Sequence, residues 1–490
     1  MNVLMINTLH SGGGAGRASE RLATALRAAG HNVRALVARN LRNDPSCRVA
    51  RHWRLDAPGP ALHRRGLPDL GHCSSLLWRL LPEFAAADVI HLHNLHGGFM
   101  SLAALPVWAA DKPLVWTWHD QWPVSGNCVY SYDCTRWQRG CGHCPRLGEY
   151  ALTRHETTRC CRWLKVRLVR AARPRLITPS RWLASMAAQV PQYRRLPVCT
   201  IPYAVPTDLF APPADRAAAR RALGLRPDAP TIVFACHSFN DRRKGVDDAV
   251  AACRALRGRV GGAQLLALGS DSQKFLRASG LPGVAVPFLL DEAAVARAFG
   301  AADAALTPSH ADNYPYVVLE ALACGTPVVA YAVGGIVEQL EHRRSGWLAR
   351  DGDVGGLVDG LTWLLRSRET ARACGQRGRR FVAGHCAPAA VAARHLDEYA
   401  QALAAWRLRT GRATPRRPRS SLARRLCRWL GWNDIPSEPL RRPTPVGAPG
   451  QVAPELCSSI SVAQRAASGG PTGVGASTPT RQGEYACVSW

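Results

Sequence analysis

The sequence predicts an α/β protein made of two doubly wound domains that face each other across a cleft. Two observations carry this. Short apolar runs alternate with helical stretches, the pattern of a parallel sheet covered on both faces. That alternation also occurs twice, the second series restarting at Thr231 after a proline-punctuated hinge, Ile201-Pro202-Tyr203-Ala204-Val205-Pro206. With 490 residues, 47% of them hydrophobic, the chain holds enough apolar material for two or three full cores.

In the first series, Val3–Thr8 reads as a strand that runs into Ser11-Gly12-Gly13-Gly14-Ala15-Gly16. An amphipathic helix is expected from Arg17 to Ala29, stopped by Gly30. Further strands are expected at Val33–Ala38, Val89–His93 and Leu114–Trp118. The second series places strands at Thr231–Cys236, Gln264–Leu268, Val284–Val286, Ala304–Thr307 and Pro327–Ala330. The domains are therefore 1–203 and 204–385, with a helix over 386–410 expected to pack back on the first domain. Beyond lies a basic tail, 411–490, rich in Pro, Gly, Ser and Arg. Leu422–Trp432 reads as a short amphipathic helix and 433–490 as disordered.

Lys and Arg number 63 against 35 Asp and Glu, a formal net charge of +28, which implies an anionic partner. Residues 1–9 lack a basic leader region and a cleavage site and read as a strand. The uncharged run between Glu320 and Glu338 is broken by Gly325, Pro327, Gly334 and Gly335 and is not read as a membrane span. Most of the 17 cysteines are scattered singly (Cys47, Cys236, Cys324, Cys386) and read as small buried hydrophobes in a reducing cytosol.

The first glycine-rich loop invites a dinucleotide reading, but the fingerprint fails: its last glycine position falls on Arg17 or Ser19, and no acidic residue ends the second strand. Gly13 and Gly14 are instead expected to offer backbone amides to an anion. The richest stretch runs from Ser309 to Pro327. Pro315 preorganises a helix start and Gly325 ends that helix, so Asp312 sits on the entry loop and Glu320 on the helix. The amides of Tyr316 and Val317 suit a phosphate, while Glu320 suits a ribose diol and Asp312 sugar hydroxyls.

This stretch resembles the E-x7-E signature of retaining glycosyltransferases of the GT-B fold, specifically glycosyltransferase family 4. Asp88-Val89-Ile90-His91-Leu92-His93, Thr117-Trp118-His119-Asp120, Thr178-Pro179-Ser180-Arg181-Trp182, Arg243-Lys244-Gly245 and Val333-Gly334-Gly335-Ile336-Val337-Glu338 fall in the family's order. The His-Asp-x-Trp-Pro wording followed by four cysteines is similar to the colanic-acid and exopolysaccharide branch. The resemblance implies two Rossmann-like domains and sugar transfer, with retention, from a nucleotide diphosphate sugar. The implied acceptor is a saccharide, often linked to polyprenyl diphosphate. It implies that His119 lies beside the donor sugar with Asp312 and Glu320, that Lys244 and Arg243 meet the donor phosphates, and that no metal is required for catalysis. Two departures stand out: Asp312 replaces the first Glu, and Ser238 replaces an arginine six residues before Lys244.

Cys128, Cys134, Cys141 and Cys144, closing with a Cys-x2-Cys, suit a structural zinc. Two disulfides or unlinked thiols are the alternatives. Trp116, Trp118, Trp122 and Trp137 crowd the same region, and one or two are expected to stack on an acceptor sugar. Arg154–Arg175 holds eight basic residues against Glu156 alone. It reads either as a solvated helix face or as a basic amphipathic helix on an anionic bilayer, which would place the protein on the inner face of the cell membrane. A catalytically impaired scaffold is an alternative. A zinc-containing nucleic-acid-binding protein is another, but it leaves the Asp312–Glu320 stretch unexplained, so no nucleic-acid partner is expected.

Overall fold

The computed structural model describes residues 1–148, 155–287 and 291–415. The expectations for Leu422–Trp432 and for 433–490 lie outside these residues. The opening run forms β1 (Asn2–His10), buried without a break from Val3 to Thr8, as a strand covered on both faces must be. It lies at the centre of a parallel seven-stranded sheet with β2 (Asn32–Asn40), β3 (Cys47–Val49), β4 (Val89–Leu92), β5 (Leu114–Thr117), β6 (Arg175–Thr178) and β7 (Val198–Thr200), in the order 3-2-1-4-5-6-7. The second sheet is also parallel. It holds β8 (Thr231–Ser238), β9 (Gln264–Ser270), β10 (Gly283–Val286), β11 (Ala304–Thr307), β12 (Val328–Tyr331) and β13 (Gly346–Ala349), in the order 10-9-8-11-12-13. In each sheet the order reverses beside the first strand, which opens a crevice at the strands' carboxyl ends.

β3, β6, β7 and β13 escape a reading of apolar runs. They are three or four residues long and include Cys-Arg-Val and Val-Cys-Thr, so pairing with a neighbour rather than hydrophobicity defines them. Five helices frame the site: α1 (Gly13–Ala28), α2 (Thr158–Ala172), α3 (Glu292–Ala301), α4 (Tyr316–Ala323) and α5 (Pro388–Thr410). α1 starts at Gly13 and not at Arg17, because the loop after β1 closes in two residues and the glycines already form the first turn.

α5 lies on the N-terminal domain. Its Val391, Ala392, Tyr399 and Ala402 share a core with Val3, Met5, Leu22, Val89 and Val115. The Tyr399 hydroxyl meets His91 Nδ1 at 2.7 Å, and the Trp406 indole donates to the Ala109 carbonyl at 3.0 Å. Where the chain crosses between domains, the Val205 amide donates to the Cys386 carbonyl at 2.9 Å and ties the two crossings together. Trp116, Trp118, Trp122 and Trp137 are all buried in the N-terminal core, so none presents a ring face to an acceptor sugar. Among the described residues no helix is long and apolar enough to cross a membrane.

β1 ends on His10, whose Nε2 lies 3.2 Å from Asp44 Oδ2, with Cys47 alongside. Burial opposes a charge on this imidazole, but Asp44 and Cys47 outweigh it and raise the pKa from 6.5 to about 9. A raised histidine pKa stabilises the fold fully below 6.5 and loses that contribution as pH climbs through 9. Thermal melts of wild type and His10→Gln should therefore differ most below pH 6.5 and converge towards pH 9. A gap that stays constant across that window would refute the pairing.

Candidate active site

The loop after β11 delivers Asp312 to the crevice, 6% exposed. Arg243 donates to its Oδ2 at 3.2 Å and Lys244 at 2.5 Å, and the Asn313 amide donates to Oδ1 at 3.0 Å. Burial alone would raise the Asp312 pKa; Lys244 and Arg243 reverse the shift and keep the carboxylate ionised. Arg243 also grips Asp241 at 3.1 Å and is buried, whereas Lys244 keeps 20% of its side chain exposed. Gly245 makes this arrangement possible: at φ +66 it lies so close to the loop that a Cβ would fall 1.8 Å from the Pro308 carbonyl oxygen. Gly334 and Gly335 pack equally tightly on the carbonyls of Asp312 and Asn313.

His119 follows β5 in the other domain. Its Nε2 faces His93 Nδ1 at 3.0 Å and its Nδ1 faces the Tyr203 hydroxyl at 2.8 Å. Burial lowers its pKa to about 4, with only partial compensation from Asp120, so the ring is neutral near pH 7. Its carbonyl accepts a hydrogen bond from Asn313 Nδ2 at 3.0 Å, and Asn313 Oδ1 accepts one from Ser180 Oγ at 2.5 Å. His119 and Asp312 are thus brought to one wall of the crevice, linked through a single asparagine. Tyr203 from the hinge stacks on Tyr316 at 4.9 Å and continues that wall. Tyr316 is buried and Val317 half-buried in the first turn of α4, while Gly13 and Gly14 are exposed in the first turn of α1.

Glu320 is fully buried, and its carboxylate is already held from the opposite domain. Arg17 reaches it at 3.0 Å and Arg21 at 2.7 Å, and Arg21 also meets Glu292 of α3 at 3.0 Å. The Arg21 guanidinium lies over the Tyr316 and Phe210 rings, 4.5 and 4.9 Å from their centroids. Sequence reading passed over both arginines as ordinary residues of α1. Their signal was the i,i+4 spacing directly after the glycine loop.

The four loop cysteines line one cavity with Trp137 and Thr158. Among the described residues, the one group of three potential ligands with all donor atoms within 4.8 Å is His10, Asp44 and Cys47, so the loop sulfurs are less tightly drawn together. α2, which lies against this loop, is not basic on its solvent side alone. Arg162 and Lys165 point inward, 6% and 1% exposed, because the loop's carbonyls give them partners.

Residues 12–209 match Glycosyltransferase Family 4, and residues 215–381 match Glycosyl transferases group 1. The chain carries the group 1 and family 4 domains of GT-B glycosyltransferases. Over 265 residues it is 27% identical to the Escherichia coli (strain K12) protein WcaC, named as a colanic acid biosynthesis glycosyl transferase; the match spans 52% of this chain and 62% of WcaC. In fold it is similar to a sucrose-phosphate synthase from Thermosynechococcus elongatus, with a TM-score of 0.58, 23% identity, and coverage of 83% of this chain and 100% of that one. It is also similar to Anabaena HepE in complex with UDP-glucose, with a TM-score of 0.55, 15% identity, and coverage of 82% and 99%.

The Glu320 contact between domains is testable through unfolding. Arg21→Met should cost about 3 kcal/mol, the low end for a broken buried pair, because Arg17 remains. Adding Glu320→Gln should recover part of that loss in urea titrations, since the buried charge left behind is removed. Strictly additive losses would mean that the two side chains do not interact.

Proposed function

We propose that the chain transfers a sugar from a nucleotide diphosphate sugar to a saccharide acceptor, with retention at the anomeric carbon, in the assembly of a surface polysaccharide. The observation that carries this reading is the hydrogen bond from Asn313 to the His119 carbonyl, which sets a histidine of one domain beside a buried carboxylate of the other. In GT-B transferases donor and acceptor meet between the two domains, and the contact between Asn313 and His119 joining the domains here supports the same use. HepE, in complex with UDP-glucose, makes UDP-sugars the first donors to try.

In the proposed reaction the bond from the anomeric carbon to the diphosphate breaks as the acceptor oxygen bonds on the same face of the sugar. The acceptor proton passes to the departing phosphate. Lys244, the partly exposed cation of its cluster, stabilises the charge that develops on that phosphate, with the amides of Gly13, Gly14, Tyr316 and Val317 as fixed donors. His119 is neutral and both its ring nitrogens are engaged, so it shapes the wall beside the sugar and supplies no charge. Asp312 orders Lys244 and faces the sugar hydroxyls. Glu320 fixes the two domains in register and receives the ribose when the arginines yield.

The acceptor is read as lipid-linked, which places the protein at the inner face of the membrane. The outer side of α2 supports this: Trp163 is 56% exposed, Arg167 stacks on it at 4.8 Å, and Arg159 and Arg170 are exposed beside it. A catalytically impaired scaffold is the second reading, favoured by Glu320 being held by arginines. It predicts donor binding without turnover.

Assays with UDP- and GDP-sugars distinguish the two readings. Lys244→Ala should lower kcat by about 100- to 1,000-fold, the usual cost of one fixed transition-state donor. NMR of the product should show the donor's anomeric configuration; inversion would overturn the retaining reading. Trp163→Ala should weaken co-sedimentation with anionic vesicles while leaving transfer to a soluble acceptor intact.

A further inference from the structure

Three features of the loop between β5 and α2 have no explanation in the site described above. The first is its backbone. Gly140, Cys141, Gly142 and His143 run consecutively at φ +125, +61, +98 and +48. Two of these are not glycine, and each such residue costs about 1–3 kcal/mol unless its surroundings hold it there. The second is the role of sulfur as an acceptor. The Gly126 amide points at Cys141 Sγ from 3.2 Å, while the Gly142 amide is fixed on Thr158 Oγ1 at 3.0 Å.

The third feature is buried positive charge. Lys165 Nζ donates to the carbonyls of Trp122 and Ser125 at 2.7 and 3.1 Å, and Arg162 Nε donates to that of Val124 at 3.1 Å. Arg162 Nη2 is buried with no hydrogen-bond partner. Among the described residues neither cation forms an ion pair within 4.0 Å; Lys165 lies over the Trp122 ring, 3.5 Å from its centroid, and the buried Asp69 acts on it from farther away. A buried charge left this way carries a penalty of several kcal/mol. One peptide unit links Lys165 to the sulfurs: the Ser125 carbonyl accepts from Lys165 while the next amide, Gly126 N, donates to Cys141 Sγ, and Cys141 lines the same cavity as Cys128, Cys134 and Cys144.

We propose that Cys128, Cys134, Cys141 and Cys144 bind one Zn2+ as a tetrathiolate, and that Arg162 and Lys165 are the counter-cations of that centre. Four thiolates around a divalent ion leave two negative charges, and two buried monocations neutralise them. An all-sulfur donor set with a closing Cys-x2-Cys turn selects tetrahedral zinc over harder ions. Binding displaces the four thiol protons to solvent. The centre touches no substrate. It fixes the segment that Lys165 holds by its carbonyls, and within that segment the Trp122 amide donates to Asp120 Oδ1 at 2.9 Å, one residue from His119.

The full-length chain, purified under reducing conditions without chelator, should contain one zinc per chain by mass spectrometry. Zinc-edge X-ray absorption should report four sulfur neighbours at about 2.3 Å. Mercurial titration should release the metal as the four thiols react, and Cys144→Ser should lose it. Lys165→Met should keep the stoichiometry but lose about 10- to 100-fold in zinc affinity against a competing chelator, as for other partners outside the ligand set. The X-ray absorption of the wild type does not depend on any variant folding. Metal-free protein with four titratable thiols overturns the proposal, as does protein with two disulfides. Zinc with nitrogen, oxygen and a single sulfur as neighbours would place the metal at His10, Asp44 and Cys47 and overturns it equally. Unchanged zinc affinity in Lys165→Met removes the counter-cation role.

Discussion

A carboxylate with no solvent contact has to be met by cations, and Glu320 is met from a helix some 300 residues away in sequence. That requirement sets the relation between the two sheets. Arg17 and Arg21 can reach Glu320 only when the amino end of α1 lies against α4, and Arg21 reaches Glu292 of α3 in the same arrangement. Tyr316 supplies the floor on which Arg21 rests, and its other neighbour is Tyr203 of the hinge. Tyr203 in turn meets His119. A continuous set of contacts therefore runs from the buried ion pair to the histidine, and repositioning one domain would disturb all of them.

The excess of positive charge has a structural use as well as any role with partners. Many arginines and lysines donate to carbonyls at helix carboxyl ends, where the last turn leaves acceptors unsatisfied and the helix dipole is negative. Arg216 and Arg220 serve Gly300 and Ala301 at the end of α3, and Arg379 serves Ala323 at the end of α4. Lys112 serves Ala85 and Ala87, and Arg409 serves Ala109. Lys165 and Arg162 do the same for the loop after β5. A net charge of +28 therefore overstates what the surface offers to an anionic partner. The same reasoning divides α2, whose basic residues serve two different sides.

The strands that carry the two cores were legible because doubly covered strands are apolar throughout, as Val3–Ile6 and Ile232–Phe234 are. Asp312, Lys244 and His119 could be marked from local wording, since Pro, Gly and charged residues at fixed spacing leave a sequence trace. What was not legible depends on partners distant in sequence. The Arg21–Glu320 pair has no local signature, and neither does the bond from Asn313 to His119. The four tryptophans show the same limit: clustering in sequence did not reveal that they face each other and the core, with Trp116 donating inward to the His93 carbonyl.

The charge balance of the crevice also gives the glycine loop a reason. Arg243 and Lys244 are matched by Asp241 and Asp312, and Arg17 and Arg21 by Glu292 and Glu320, so both clusters are neutral as groups. A diphosphate drawn to this place would meet oriented dipoles beside Lys244, the partly exposed cation of its cluster. Five α-helices among the described residues are closed by side chains, Ser180, Asp215, Asp291, Asp353 and Ser367 each accepting a first-turn amide, whereas α2 and α5 have no such cap. α1 and α4, which meet at Glu320, begin at Gly12 and Pro315 with no side-chain cap and no acid in the first turn. Their first-turn amides are therefore not taken up by a cap of their own helix. With donors of that kind in place, serine at 238 in the position of the family's arginine removes a cation from a site whose attraction does not rest on cations alone.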